Sequence, residues 1–308
     1  MRTVYKQACK LMGCCFETSA VTDSATQAAE AILAAEEEMR RIERLLTTYD
    51  ENSETALINR NAGEEPVRVS AETFRIIERS IRISELTSGA FDISYGSVDK
   101  SLWNFDTSLQ QLPDAATAKK MVRLINYRNI LLDKENTTVL LKEKGMRIGF
   151  GGIGKGYAAE RAKAVMREMG IDSGIVNASG DLAVWGLQPN GEPWRIGIVH
   201  PDAPDQAFCH LQVTNMALAT SGNYEKFAII DGKKYSHTIN PRTGLPVSGI
   251  KSVTIITPNA EIADAMATPV MIMGIAAGID MINQMKDIEA VLIDDDNQVF
   301  TSKNIHLS

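Results

Sequence analysis

Residues 147–160, RIGFGGIGKGYAAE, set five glycines and Lys155 in one short turn. Glycines let backbone amides approach a ligand closely, and a helix N-terminus following them favours anions. Lys155 would add a positive charge for phosphates. Two familiar phosphate motifs almost fit. Gly149, Gly151 and Gly154 satisfy GxGxxG, but a dinucleotide site needs a carboxylate ending the next strand, and Asp172 precedes the strand SGIVNA instead. Gly149, Gly154 and Lys155 satisfy GxxxxGK, but Gly156 stands where a P-loop carries its magnesium-binding hydroxyl. The turn alone leaves two readings open, a phosphate site or a tight strand-to-helix connection.

A second constellation lies far along the chain. EIADAMATP puts Asp264 and Thr268 four residues apart, hence on one face of a helix. A carboxylate and a hydroxyl so placed in an apolar helix are oxygen ligands suited to a hard divalent cation such as Mg²⁺. The alternative is a helix-start carboxylate complementing the dipole and a threonine bonded back to its own helix. TSGNYEKF (220–227) and YSHTINPRTGLPV (235–247) add polar, Gly- and Pro-punctuated segments between apolar strands.

The elements that must hold these residues follow from periodicity. Ala28, Ile32, Ala35, Met39, Ile42 and Leu46 recur at helical steps and predict one long amphipathic helix over 24–46. A second helix should carry Phe74, Ile77 and Ile81, and a third should run from about 115 to 124. From 128 onward NILLD, TTVLLKE and MRIGF read as short strands, so the glycine turn is expected to follow a strand. Ala158, Ala162, Val165 and Met169 return to helical spacing, with Gly170 as the C-cap. Strands SGIVNA, DLAVWG, WRIGIVH, HLQVT, MALATS, YEKFAIID, KSVTIIT and AVLIDD then outnumber helices, without the alternation of a doubly wound sheet. The fold class expected is α+β, with mixed or antiparallel sheets, packed helices and two intertwined lobes.

Bulk properties exclude several functions. A 308-residue chain with 44% apolar and 23% charged residues is ordinary for a globular protein. A net charge of -7 argues against nucleic acid or an anionic membrane as partner. Cys9, Cys14, Cys15 and Cys209 form no CxxC pair, so reduced thiols are expected rather than a zinc site. The apolar run 263–282 is interrupted by Asp264, Pro269 and Asp280, which predicts a buried helix kinked or restarted at Pro269 rather than a membrane span. The start of the sequence has no signal-peptide apolar run, so the chain as written is expected in the cytosol. A removed leader would instead make it a periplasmic or membrane-anchored lipoprotein.

Taken in order, MGCCFE (12), YDENSETALIN (49), SGAFDIS (88), GGIGKGYAAE (151), NASGD (177), TSGNYE (220), SHTINPRTGLP (236) and ADAMAT (263) resemble the signatures of the ApbE family, the FAD:protein FMN transferases. The resemblance implies residues 1–11 as an N-terminal extension and 12–308 as a single flavin transferase domain. It implies Mg²⁺-dependent cleavage of FAD, transfer of FMN through a phosphoester to a Ser or Thr hydroxyl of an acceptor flavoprotein, and release of AMP. Met12, Tyr49, Ala90, Phe91 and Asp92 match positions that hold FAD. Gly151, Lys155, Tyr157, His237, Thr238 and Ile239 match positions around its phosphates or rings. Asp264 and Thr268 match metal ligands, with Gly154 and Ala267 as further metal positions.

That chemistry needs charge neutralisation, a good leaving group and removal of the hydroxyl proton. Mg²⁺ and Lys155 answer the first two demands. His237, which ordinarily titrates near neutrality, is the candidate for proton transfer, with Asp264 as the alternative. The sequence also departs from the family's usual pattern: Cys14 replaces a Thr, Gly149 an Asp, Ser179 a Gly and Asn240 an Asp. Two other functions stay open, an FAD pyrophosphatase using water and a non-catalytic FAD-binding protein.

Overall fold

The chain begins with a hairpin that the sequence reading did not anticipate. Strands β1 (Thr3–Leu11) and β2 (Cys14–Thr22) pair antiparallel, joined by Met12 and Gly13 with φ of 50° and 76°. A two-residue turn with both φ positive matches the right-handed twist of its strands. The motif MG is therefore a turn signature. The computed structural model describes residues 1–102, 111–222, 227–230, 233–236 and 238–305.

Helix α1 (Ala25–Leu46) is capped by Ser24, whose hydroxyl accepts from the Gln27 amide, and it buries the apolar stripe expected of it. There follow α2 (Glu54–Arg60), β3 (Val67–Arg68), α3 (Ala71–Leu86), a short 3-10 turn (Ile93–Ser97), α4 (Ala115–Met121), β4 (Ile130–Asp133) and β5 (Thr138–Leu141). The second half holds α5 (Gly154–Glu168), β6 (Gly174–Ala178), β7 (Asp181–Trp185), β8 (Trp194–His200), β9 (Ala203–Val213), β10 (Met216–Gly222), β11 (Phe227–Ile230), β12 (Lys233–Ser236), β13 (Ile250–Thr257), α6 (Ala260–Met273), α7 (Ile275–Gln284), β14 (Glu289–Asp294) and β15 (Val299–Thr301).

An eight-stranded sheet in the order β1-β2-β6-β7-β10-β13-β14-β15 organises the molecule, and its neighbours all pair antiparallel. The fold is thus α+β, and the parallel sheet of a dinucleotide-binding fold is absent from the described residues. Side chains alternate between two cores, as a period of two requires. Ala183, Trp185, Ala217, Ala219, Val253, Ile255, Ala290 and Leu292 face the main core under the helices. Val184, Leu218, Ile256 and Val291 face a smaller core closed by Trp194, Ile198 and Val213 of the separate β8–β9 ribbon. Alanine dominates the helix-facing positions at the centre of the sheet. It meets Ala260, Ala263, Ala265 and Ala267 of α6, so backbone and helix approach closely.

Two expectations are corrected. Residues 146–150, read as a strand, join no sheet. Side chains from α2 and the 3-10 turn satisfy their backbone instead: Asn59 exchanges hydrogen bonds with Ile148, donating to its carbonyl at 3.0 Å and accepting from its amide at 2.7 Å. Ser97 does the same for Arg147 at 2.9 and 2.8 Å. The second correction concerns the restart of the helix, which falls at Gly274 with φ of 85° and not at Pro269, which sits inside α6. No described helix is long and apolar enough to cross a membrane.

Helices α5 and α6 cross at Gly156. A Cβ there would lie 2.1 Å from the Ala260 carbonyl oxygen and 2.7 Å from Asp264 Cβ, contacts no side chain tolerates. This is the physical reason the position cannot carry the Ser or Thr of a P-loop. Replacing Gly156 by Ala should cost about 1–3 kcal/mol of stability, the usual penalty for overpacking a core. Gly151→Ala, where nothing lies within 4 Å, should leave the melting temperature near that of the parent. Thermal unfolding of the two variants side by side checks both expectations.

Candidate active site

Two hairpin turns stand at the same end of the sheet, because β2 pairs with β6 in a register that sets Phe16 opposite Ala178. One is Met12–Gly13. The other is Ser179–Gly180 between β6 and β7, with φ of 56° and 101°. Ser179 thus adopts the left-handed conformation that favours the usual glycine, which short polar residues tolerate better than β-branched ones. Asn177 fixes the turn by accepting from the Gly180 amide at 2.8 Å. The turn delivers Asp181 to Lys155, and the two form an ion pair.

Lys155 is the second residue of α5. Gly154, the first, donates its amide to the Phe150 carbonyl at 2.7 Å. The next two amides, of Lys155 and Gly156, both support the Asp264 carboxylate, Gly156 donating to Oδ2 at 2.9 Å. The anion at this helix N-terminus is therefore the protein's own aspartate, where the sequence suggested a phosphate. Glu160 of α5 ties the two helices again by accepting from the Ala260 amide at 3.0 Å. Thr268, one turn beyond Asp264, bonds Ser221 Oγ at 3.0 Å rather than its own helix.

Asp264 is 7% exposed. Burial, then the charge of Asp181, push its carboxyl up to about 7, against the pull of Lys155 and the two amides. Burial works against the Lys155 ammonium, but Asp181 and Asp264 outweigh it and hold its pKa above the ordinary value. Burial raises the Cys14 thiol, so this cysteine stays protonated at neutral pH and is no activated nucleophile. All four cysteines are free thiols.

These residues line a cleft of about 520 Å³ that takes in Met12, Cys14, Gly151, Lys155, Asp181, Thr220, Ser221, Thr238, Asp264, Ala267 and Thr268. A cavity of about 310 Å³ adjoins it, walled by Ala90, Phe91, Asp92, Ile93, Tyr95 and Gly149. Another of about 510 Å³ is lined by Met12, Glu43, Tyr49, Gly149, Phe150, Gly151, Gly154 and Lys155. Gly151 lines all three, and Gly149 lines the second and third.

Most sequence-derived positions meet here, but not all in the expected way. Asp92 turns its carboxylate into the fold, accepting from the Ser94 amide and hydroxyl at 2.8 and 2.6 Å and from the Tyr127 amide at 2.8 Å. It shapes the wall rather than offering a free charge. Tyr49 is 98% exposed at the mouth of its cavity. Tyr157 points to the far side of α5, donating to Glu72 Oε1 at 2.6 Å within a network that joins Arg41 and Glu38, and the structure does not bring it into the cleft. Ile239 is buried with Met121 and Val122, and its amide donates to the Tyr95 hydroxyl at 3.0 Å; only its neighbour Thr238 reaches the cavities. Asn240 accepts from the Arg242 amide at 2.9 Å and organises a turn. His237 lies outside the described residues, as do 223–226 of the TSGNYEKF segment.

Asp181 and Ser221 escaped the sequence reading. Both sit inside quoted motifs, NASGD and TSGNYE, and a carboxylate directly after an SG turn was the signal available for the first. Among the described residues no group of three or more His, Cys, Asp and Glu gathers that could hold a metal. The oxygen donors here are the Asp264 carboxylate and the Thr268 hydroxyl, which line the first cleft together with Ala267 and Asp181, whereas Gly154 lines the third cavity. An all-oxygen set fits a hard divalent cation and not zinc.

The model of the ApbE family matches residues 12–292. A FAD:protein FMN transferase from Klebsiella pneumoniae is 30% identical, covering 86% of this chain and 82% of its own. One from Treponema pallidum is 29% identical over 90% of this chain and 82% of its own. Among solved structures, the ApbE protein from Thermotoga maritima superposes with a TM-score of 0.87 at 28% identity, covering 98% of this chain and 97% of its own. The flavin transferase ApbE from Vibrio cholerae superposes at 0.82 with 25% identity, covering 100% and 98%. The chain belongs to the ApbE family.

The buried Asp264 generates a pH test. Its carboxyl is raised on folding, so ionising it destabilises the metal-free fold, and that cost grows as pH climbs from the ordinary carboxylate range, about 4, towards about 7. Asp264→Asn keeps an acceptor for Gly156 and carries no charge. In EDTA the variant should melt within about a degree of the parent at pH 4.5 and several degrees above it at pH 7.5. A gap that ignores pH would contradict the assignment.

Proposed function

We propose that this chain transfers the FMN half of FAD to a Ser or Thr hydroxyl of an acceptor flavoprotein and releases AMP. The observation that carries the reading is the convergence of Lys155, Asp264 and Thr268 in one cleft, flanked by two cavities lined by Ala90–Asp92 and by Met12 and Tyr49. Those are the positions that the family resemblance assigns to FAD. A dinucleotide stretched across Gly151 would set its diphosphate beside Lys155.

In this reading Asp264, Thr268 and the backbone carbonyls of Gly154 and Ala267 would hold Mg²⁺, which supplies charge neutralisation at the diphosphate. Lys155 stays charged beside Asp181 and offsets negative charge on the phosphoryl oxygens. The acceptor oxygen bonds to the FMN phosphorus, the bond from that phosphorus to the bridging oxygen breaks, and the bridging oxygen leaves with AMP. The hydroxyl proton passes to a base, assigned here to His237. Asp264 is the alternative acceptor of that proton, through an oxygen that its metal contact leaves free. Asp181 does not touch the reacting atoms in this scheme; it orients the lysine.

The test uses purified full chain, FAD, MgCl₂ and the flavin-carrying domain of a flavoprotein with a threonine attachment motif. Intact mass should rise by one FMN per acceptor, EDTA should stop the reaction, and Asp264→Ala should slow it at least about 100-fold, the scale of lost electrostatic stabilisation. FMN and AMP released at the same rate without acceptor would replace transfer by hydrolysis. An unmodified acceptor with intact FAD would leave only binding.

A further inference from the structure

The residues that the FAD reading occupies leave one wall of the 520 Å³ cleft unused. That wall is Leu182, Leu218 and the run Ile196, Gly197, Ile198 and Val199 of β8. Successive side chains of a strand point to opposite faces. Four consecutive residues therefore meet one cavity along the strand's edge, where backbone N–H and C=O groups are presented. Among the described residues strand β8 pairs with β9 alone, and none of them from β9 lines the cleft. The edge facing the cleft is thus the one without a strand partner among the described residues.

This edge opens onto the same cavity as Lys155 and Asp264. Asp264 is 7% exposed, so a hydroxyl on the convex surface of a folded acceptor would not reach it, whereas one on an extended segment entering the cleft would. We propose that β8 receives the acceptor polypeptide as an added strand, which carries its Ser or Thr to the Lys155 and Asp264 end of the cleft. This rests on the transferase reading. Main-chain hydrogen bonds to an exposed edge give such a complex its affinity, and pockets for alternate side chains give it specificity. The alternate pockets here are apolar, formed by Leu182, Ile196, Ile198 and Leu218, which also contribute to the smaller core. They select an acceptor segment with apolar residues flanking the hydroxyl. Near the reacting end the wall becomes polar at Thr220 and Thr254, whose hydroxyls share a hydrogen bond of 2.8 Å.

Hydrogen exchange followed by mass spectrometry tests the docking. The probe is the acceptor domain described above with its attachment threonine changed to valine, so that it binds without turning over. With FAD present, amides of residues 195–199 should exchange at least about tenfold more slowly when the probe is added, while those of the α3 segment 71–86 should not change. Val199 lies at a register shift of the ribbon, where proline is best tolerated. Val199→Pro should raise KM for the native acceptor about tenfold or more and leave the affinity for FAD within twofold. If the wild-type chain modifies the native acceptor but residues 195–199 gain no protection, the docking mode is wrong and the transferase reading stands. If it modifies no acceptor, both fall together.

Discussion

One contact holds the site together: the Gly156 amide donating to the carboxylate of Asp264 where α5 and α6 cross. It joins two segments that are 108 residues apart in sequence. The crossing is close enough that any side chain at 156 would strike the Ala260 carbonyl. Glycine is therefore demanded by proximity, not by a special backbone angle. The same contact buries a carboxylate, sets Lys155 beside it, and leaves Thr268 on the adjacent turn. Without it the glycine turn and the metal-type helix would be separate surface features.

The rest of the fold permits that crossing. Small residues on the helix-facing side of the central strands, Ala183, Ala217, Ala219 and Ala290, let the alanine-rich α6 sit low on the sheet. Antiparallel pairing brings the turns of β1–β2 and β6–β7 to one rim, which carries Met12, Cys14 and Asp181 to the cleft. On the far side of α5, Glu38, Arg41, Glu72, Arg161 and Tyr157 lock the helix against α1 and α3. Tyr157 belongs to this support. A tyrosine two residues from a catalytic-type lysine reads as a ligand in sequence, yet helical geometry turns it away from its neighbour's face.

Much of this was legible because the physics is local. Helical spacing located α1, α3 and α5, period-two runs located β6 to β10, β13 and β14, and the four-residue step placed Asp264 and Thr268 on one face. What escaped is non-local. The stretch 146–150 has the composition of a strand, but its hydrogen bonds come from Asn59 and Ser97, more than forty positions away. Pro269 offered a place for the helix to kink or restart, and the restart comes at Gly274 with its positive φ. The turn at 151–156 resembled two nucleotide motifs because its amides are indeed set to receive an anion. That the anion is Asp264, arriving from the other half of the chain, is visible only in three dimensions. The departure at Ser179 proved compatible with its φ of 56°, and the one at Gly149 lies where two of the cavities share a wall.

In the proposed function, the α5–α6 crossing would seat the FAD diphosphate with a divalent cation at Asp264. Phosphorus NMR of protein-bound FAD titrated with Mn²⁺ reports on it directly, because a paramagnetic ion broadens nearby phosphorus signals. Substoichiometric Mn²⁺ should broaden both diphosphate resonances in the wild-type complex and far less in Asp264→Ala with FAD still bound. Equal broadening in the two proteins would contradict it.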